Sequence, residues 1–235
     1  MNNKFKVLVV EDELNICNFV KTILETNGYQ VLTANSGGVA KMQYLSHCPD
    51  LIILDLGLPD MDGNELIKFM HESSATPIIV LSARSHESDK VMALDLGAND
   101  YITKPFGTEE LLARVRATLR NSRQKMDADG VIRSSYSVNG LVIEYDRRRI
   151  TVKGEEVRLT QTEYNIVELL STHPGRVLTY SEIINKIWRY ADPGSIKKLQ
   201  VNMANIRKKL GEKTGDNQYI ANELGVGYRM VLEED

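Results

Sequence analysis

The sequence predicts an α/β protein of two domains: a five-stranded, doubly wound parallel sheet, then a smaller domain of short strands, three helices and a terminal hairpin. Three observations lead to this prediction. The chain has 235 residues, which suits two domains of roughly 100–150 residues each. Apolar strand-length segments alternate with amphipathic helix-length segments over the first half. In the second half, short strands and capped helices replace that alternation.

The first 120 residues contain five strand candidates that are separated by helix candidates. The strands are apolar on both faces, which indicates a parallel sheet covered by helices on both sides. Gly28 and Gly97 lie where helices are expected to end. The predicted strands are 6–10, 30–34, 51–54, 77–81 and 101–103, and the predicted helices are 14–27, 37–47, 63–72, 87–96 and 108–120.

The second half follows a segment without periodicity, residues 121–133, which we interpret as a linker between domains 1–120 and 134–235. Two capping boxes, Thr160-Gln-Thr-Glu163 and Thr179-Tyr-Ser-Glu182, each open a helix. Helix–turn–helix followed by a β-hairpin is a winged-helix arrangement. The remaining predicted elements are strands 137–145, 149–152 and 156–158, a third helix 195–210 that ends at Gly211, and hairpin strands 219–221 and 228–232 around Gly225-Val-Gly227.

Composition excludes several classes of protein. Apolar residues make up 42% of the chain and charged residues 26%, as in ordinary globular proteins. No apolar run approaches the roughly 18–20 residues of a membrane span, and no signal peptide is visible. Cys17 and Cys48 are too few for a disulfide framework, and the four histidines lack metal-ligand spacing. We therefore expect a soluble, cytoplasmic protein with no membrane partner.

The net charge of −3 hides an asymmetry between the two halves. Residues 1–120 carry 11 Lys and Arg against 16 Asp and Glu, whereas residues 121–235 carry 18 against 16. Between Gly194 and Leu210 there are five positive charges and no acid. Such a basic block indicates a polyanionic partner more directly than the overall charge does.

Polar residues follow four of the five predicted strands. Glu11-Asp12, Asp55, Ser82 and Lys104 stand at strand ends, and the carboxyl ends of parallel strands share one rim of a sheet. Clustered carboxylates without His or Cys suit Mg²⁺. An Asp beside a Lys and a metal ion is placed to attack a phosphoryl group, and Lys and Ser can stabilise the transferring oxygens. The expected product is an aspartyl phosphate.

These motifs resemble a known family. Val9-Val-Glu-Asp12, Leu54-Asp-Leu-Gly-Leu-Pro-Asp-Met-Asp-Gly63, Leu81-Ser-Ala83 and Tyr101-Ile-Thr-Lys-Pro-Phe106 are similar to the receiver domain of two-component response regulators. The capped helices, the basic helix and Gly225-Val-Gly-Tyr-Arg229 are similar to the winged-helix DNA-binding domain of the OmpR/PhoB subfamily. Within it, segments 49–59 and 81–90 resemble regulators of potassium-uptake genes.

The resemblance implies roles for individual residues of the first domain. Asp55 would be the phosphoacceptor, supplied by a phosphohistidine on a sensor histidine kinase. Glu11, Asp12, Asp55 and the Gly57 carbonyl would hold Mg²⁺. Ser82 and Lys104 would contact the phosphoryl group, and Tyr101 would be an aromatic switch that moves inward when Ser82 engages it. A phosphoryl group adds about −1.5 to −2 charges, enough to bias such a two-state element.

The resemblance also implies a homodimer formed on phosphorylation. Its face would use Lys90 with Glu110 and Asp100 with Arg114, as ion pairs between two chains. The alternative is a solvated charged surface, because exposed ion pairs contribute little free energy. Asn99 stands where many members have an acid, so one pair of the family is expected to be missing.

The basic helix 195–210 is predicted to read DNA. Leu199, Met203, Ile206 and Leu210 share one stripe and are assigned to the core. The opposite face is small, basic and amide-bearing, which fits the major groove; it presents Lys197, Val201, Ala204, Asn205 and Lys208, flanked by Lys198 and Lys209. Leu224 replaces an arginine that some members place in the minor groove, so Arg229 with Tyr228, or Lys213, is expected to make the wing contact. Arg229 could equally be a structural anchor.

The sequence therefore predicts a transcriptional regulator, activated by phosphorylation of Asp55, whose dimer binds double-stranded DNA at tandem half-sites. By analogy, segment 180–194 is expected to contact RNA polymerase. It is not expected to be an enzyme beyond phosphotransfer and autodephosphorylation. The alternatives are an Mg²⁺-dependent aspartyl-phosphate hydrolase, disfavoured by Gly57 where a second carboxylate is usual, an OmpR/PhoB-type regulator of a different regulon, and a DNA-binding regulator that works without phosphorylation.

Overall fold

The computed structural model describes residues 4–123, 135–188, 191–212 and 216–232. Contacts divide the chain into two compact units, with the division between residues 130 and 131. Each unit is described by itself below. Among the described residues, no helix is long and apolar enough to cross a membrane.

The first unit contains the predicted doubly wound sheet. Its five strands are all parallel and have the order β2-β1-β3-β4-β5. The order reverses between β1 and β3, which places a crevice beyond the carboxyl ends of these two strands. The strands are β1 Lys6–Val10, β2 Gln30–Ala34, β3 Leu51–Leu54, β4 Ile78–Ser82 and β5 Asp100–Thr103; the helices are α1 Leu14–Thr26, α2 Gly37–His47, α3 Gly63–Ser73, α4 Glu87–Asp95 and α5 Thr108–Arg123.

Alternate residues of each central strand enter two different cores. Val7 and Val9 of β1 pack with the apolar side chains of α1 and α5. Leu8 and Val10 pack with those of α2, α3 and α4 on the other face. Because successive strand residues point to opposite faces, a strand buried on both sides must be apolar throughout. This confirms the prediction drawn from the uninterrupted apolar strands.

The predicted linker begins later than the sequence suggested. Helix α5 continues to Arg123, three residues past the predicted domain boundary at 120. Residues 121–123 contain neither Gly nor Pro, and the Ser122 hydroxyl donates to the Leu119 carbonyl at 3.0 Å, so nothing there breaks the helix. The rest of the predicted linker, residues 124–133, lies outside the described residues.

The second unit opens with an antiparallel four-stranded sheet, β6 Ser135–Val138, β7 Leu141–Glu144, β8 Arg149–Val152 and β9 Glu155–Glu156. The prediction of one strand over 137–145 was wrong, because the chain turns back at Asn139-Gly140. Both residues have positive φ, 49° and 83°, which is the conformation that an Asn-Gly hairpin turn requires. This turn signal was overlooked inside an otherwise alternating segment.

The winged-helix arrangement is confirmed in the rest of the second unit. It consists of α6 Gln161–Ser171, α7 Tyr180–Trp188, α8 Ser195–Leu210 and a three-stranded sheet ordered β10-β12-β11 from Leu178–Thr179, Gly227–Met230 and Ile220–Glu223. The capping boxes at Thr160 and Thr179 are both formed. Strand β10 was not predicted, because two residues carry no periodicity. A Cβ atom on Gly227 would lie 1.9 Å from the Leu178 carbonyl oxygen, so β12 needs glycine where β10 approaches it.

Candidate functional site

The sheet edge brings three carboxylates together, as predicted. The Glu11 amide donates to the Ala34 carbonyl and the Asp55 amide to the Val10 carbonyl, both at 2.9 Å. The parallel ladder thus continues one residue past the strands and holds both residues at the rim. Carboxylate oxygens of Glu11, Asp12 and Asp55 lie within 4.8 Å of one another.

Lys104 lies between two of these carboxylates. Its Nζ is 2.6 Å from Asp55 Oδ2 and 2.8 Å from Glu11 Oε2. Burial raises the pKa of Glu11. Burial would also raise the pKa of Asp55, but hydrogen bonds from Lys104 and the Gly57 amide hold it below its ordinary value. The two carboxylates in turn raise the pKa of Lys104 against the effect of its own burial. Asp55 is therefore an ionised, partly desolvated nucleophile beside a cation.

Ser82 and Tyr101 occupy the adjacent strand ends. Ser82 is the last residue of β4 and is buried. The Tyr101 hydroxyl donates to the Arg84 carbonyl oxygen at 2.7 Å, so the ring lies against the loop that follows Ser82. The geometry is consistent with a link between Ser82 and Tyr101 through this loop.

Three charged residues of the surrounding loops were given no role from the sequence. Asp60 accepts hydrogen bonds from the Gly37 and Gly38 amides at the start of α2, at 2.8 and 2.9 Å. Asp62 caps α3 and forms an ion pair with Arg84 at 2.9 Å. The cap could have been found from an Asp directly before a predicted helix. The contacts to α2 and Arg84 cross about twenty residues of sequence and leave no local pattern.

The expected dimer residues are brought together within one chain. Arg114 Nη1 is 3.0 Å from both carboxylate oxygens of Asp100, and its guanidinium is 3.0 Å from Glu110. Lys90 forms no ion pair within the described ranges. Asn99 accepts a hydrogen bond from the Ile78 amide at 2.9 Å, which gives its side chain a local structural role. Pairing between two chains stays a prediction.

Helix α8 separates an apolar face from a basic one, as its sequence pattern predicts. Leu199, Met203, Ile206 and Leu210 are buried. The residues expected to face DNA are exposed, namely Lys197, Lys198, Val201, Ala204, Asn205 and Lys208. Lys209 differs from them, because its Nζ is 2.6 Å from the buried Glu163 of α6. Lys198 lies over the Trp188 ring at 4.8 Å.

The wing offers DNA less positive charge than expected. Arg229 Nε is 3.0 Å from Glu223 Oε1 on the facing strand, which favours the structural-anchor interpretation of Arg229. Tyr228 is buried and its ring packs against Tyr180 at 5.7 Å between centroids. At the tip, Leu224 is 86% exposed. Lys213 lies outside the described residues.

The fold and these two sites define a class of protein. Residues 7–116 match the family "Response regulator receiver domain", and residues 154–230 match "Transcriptional regulatory protein, C terminal". The chain belongs to the response regulators of the OmpR/PhoB type, which are transcriptional regulators that bind DNA and are activated by phosphorylation. This family membership disfavours the hydrolase alternative.

The individual relatives include two curated regulators and one solved structure. The chain is 40% identical to "KDP operon transcriptional regulatory protein KdpE" of Escherichia coli K12, over 96% of this chain and 99% of the relative. It is 37% identical to "Transcriptional regulatory protein KdpE" of Mycobacterium tuberculosis, over 95% and 97%. The response regulator DrrB of Thermotoga maritima is 28% identical over 97% and 99%, with a TM-score of 0.47. The predicted resemblance to the family is confirmed.

Proposed function

We propose that this chain takes a phosphoryl group onto Asp55 from a sensor histidine kinase, dimerises, and controls transcription of potassium-uptake genes. The observation that carries the proposal is the rim of carboxylates around Lys104, in a chain that also has an exposed basic helix. Contact of segment 180–194 with RNA polymerase remains part of the proposal by analogy alone.

The residues at the rim have distinct parts in phosphotransfer. An Asp55 carboxylate oxygen attacks phosphorus; a P–O bond forms while the P–N bond to the kinase histidine breaks, and its electron pair stays on the imidazole. Lys104, held at 2.6 Å from Asp55, stabilises negative charge on the transferring oxygens. The Ser82 hydroxyl donates a hydrogen bond to one of those oxygens.

The three carboxylates fit a magnesium ion. They supply hard oxygen ligands within 4.8 Å of one another, and this donor set is the one Mg²⁺ prefers over metals that need His or Cys. Glu11, Asp12 and Asp55 would hold the ion, with the Gly57 carbonyl as a further ligand. When bound, the ion supplies charge neutralisation at the phosphoryl oxygens.

Chemical labelling tests the phosphoacceptor. We expect the full chain, incubated with Mg²⁺ and a small phosphodonor, to gain one acid-labile phosphoryl group, and Asp55→Asn to gain none. Glu65→Gln, which changes an exposed carboxylate on α3, is the matched control and should be labelled like the wild type. Equal labelling of the Asp55→Asn chain would contradict the assignment.

The choice of target genes is tested on DNA. The two KdpE relatives and the segments that resemble regulators of potassium-uptake genes support this choice. We expect the phosphorylated chain to protect a tandem site upstream of potassium-uptake genes in footprinting, and to protect an unrelated promoter much less. Protection that is the same without phosphodonor would favour a regulator that works without phosphorylation.

A further inference from the structure

One arginine joins the two loops beside Asp55, and the proposed function gives it no part. Arg84 lies between β4 and α4, in the loop that follows Ser82. Its Nη1 is 2.9 Å from Asp62 Oδ2, and its Nη2 donates to the Leu56 carbonyl at 3.4 Å. Both acceptors belong to the loop that follows Asp55. The guanidinium therefore spans the loops that carry the phosphoacceptor and the phosphoryl-binding hydroxyl.

The backbone of Arg84 contacts the residues expected to transmit the signal. Its amide donates to Ser82 Oγ at 3.4 Å, and its carbonyl accepts the hydroxyl of Tyr101 at 2.7 Å. Wherever the side chain of Arg84 is held, this carbonyl is held with it. The position of Tyr101 thus depends on an ion pair that Tyr101 itself does not touch.

Asp62 is the fixed end of this ion pair. Its Oδ1 accepts the Asn64 amide at 2.8 Å as the cap of α3, while Asp60 in the same loop binds the two amides at the start of α2. A Cβ atom on Gly63 would lie 2.6 Å from Leu56 Cα, so the loop packs closely on itself. The loop after β3 is anchored at several points, whereas the loop after β4 depends on Arg84 to be attached to it.

We propose that Arg84 is a positioning residue, which holds the β4–α4 loop against Asp62 and so favours the conformation in which Tyr101 is bound to the Arg84 carbonyl. The inference rests on the proposed function, because this conformation matters only if phosphorylation of Asp55 acts through Ser82 and Tyr101. Arg84 biases the response to phosphorylation and takes no part in the chemistry at Asp55. The side chains of Arg84 and Asp62 are 36% and 41% exposed, so the bias is modest.

Two variants break the same ion pair from opposite ends. Asp62→Asn keeps an oxygen that can cap α3 but loses the charge, and Arg84→Ala loses the guanidinium but keeps the carbonyl that binds Tyr101. We expect each to raise the dimer dissociation constant of the phosphorylated full chain about threefold in sedimentation. The double variant should show no further rise, because the shared interaction is already lost. Arg84→Lys should recover part of the effect, and Lys21→Ala, which breaks the exposed Lys21–Glu25 pair, should match the wild type.

A second measurement reads the loop directly. With fluorotyrosine incorporated, the ¹⁹F resonance of Tyr101, assigned from a Tyr101→Phe sample, should shift in Arg84→Ala and in Asp62→Asn. Wild-type dimerisation with an unshifted resonance, or additive effects in the double variant, would overturn the inference. All variants should still be labelled on Asp55; an unlabelled wild-type chain would instead contradict the proposed function.

Discussion

Glu163 shows how a single buried carboxylate can serve a helix start and a distant helix at once. It closes the capping box of α6 with Thr160 and also lies 2.6 Å from Lys209 Nζ on α8. Burial would raise the pKa of Glu163, but Lys209 and the Thr160 amide lower it below its ordinary value. A lowered pKa in the folded state stabilises the fold above the unfolded-state pKa, and that contribution is lost as the pH falls through the folded-state pKa.

We expect Glu163→Gln to lower the free energy of unfolding of the second unit by about 1–2 kcal/mol at pH 7. The deficit should shrink when the pH falls below about 4, because the wild-type carboxylate is then protonated as well. Urea unfolding of the full chain at both pH values measures the difference. Glu182→Gln is the control, since Glu182 closes the same box at Thr179 but pairs with the exposed Arg176; a cost as large as that of Glu163→Gln would contradict this account.

At the scale of the element, α8 is attached to the wing through its own last turn. Glu212 follows the helix and accepts the amides of Tyr219 and Ile220 at 2.6 and 3.2 Å. Arg207 donates to the Ile220 carbonyl at 2.8 Å. Burial raises the pKa of Glu212, so its charge is costly at this junction. The recognition helix and β11 are therefore positioned by one carboxylate and one guanidinium.

Glu212→Ala should leave two buried amides without their acceptor and cost about 1–3 kcal/mol of stability. Because the wing then loses its fixed position on α8, we also expect weaker DNA binding in gel-shift titrations below the unfolding temperature. Glu212→Gln retains one carbonyl acceptor and should bind DNA nearly like the wild type. Loss of binding in the Gln variant but not in the Ala variant would contradict the role of the acceptor.

Elements with local signals were predictable from the sequence, and contacts between distant residues were not. The capping boxes, Gly211 after α8 and the strand ends at Glu11, Asp55 and Ser82 are written in neighbouring residues, so the acidic rim could be assembled from the topology of a parallel sheet. The Arg84–Asp62 and Lys209–Glu163 pairs join residues 22 and 46 positions apart. Surface charges at such spacings are common, and only the fold decides which of them meet.

At the scale of the whole molecule, the charge available to DNA is smaller than the sequence count suggests. Five cations lie between Gly194 and Leu210, but Arg207 donates to a backbone carbonyl and Lys209 is bound to Glu163. Lys197, Lys198 and Lys208 remain exposed on α8. Each lysine that neutralises a DNA phosphate releases counterions and steepens the dependence of affinity on salt.

Lys208 and Lys209 form a matched pair for testing this count. Lys208→Ala should make the slope of log affinity against log salt less steep by about 0.9 for each DNA phosphate that is no longer neutralised. Lys209→Ala should leave that slope unchanged while lowering the stability of the fold, because Glu163 is left buried without its cation. Fluorescence anisotropy over a salt series, with a melting curve for each variant, separates the two effects; equal slopes for both variants would contradict the assignment.

Lys104 has a practical consequence for handling the protein. Its ammonium already compensates Glu11 and Asp55, so the acidic residues do not depend on a divalent ion to come together. Purification in a chelating buffer should therefore yield folded chain, ready to be charged with metal afterwards. In the cell, the same internal counterion would let the receiver be synthesised and stored when magnesium is scarce, leaving the metal to decide when phosphotransfer begins instead of whether the domain folds.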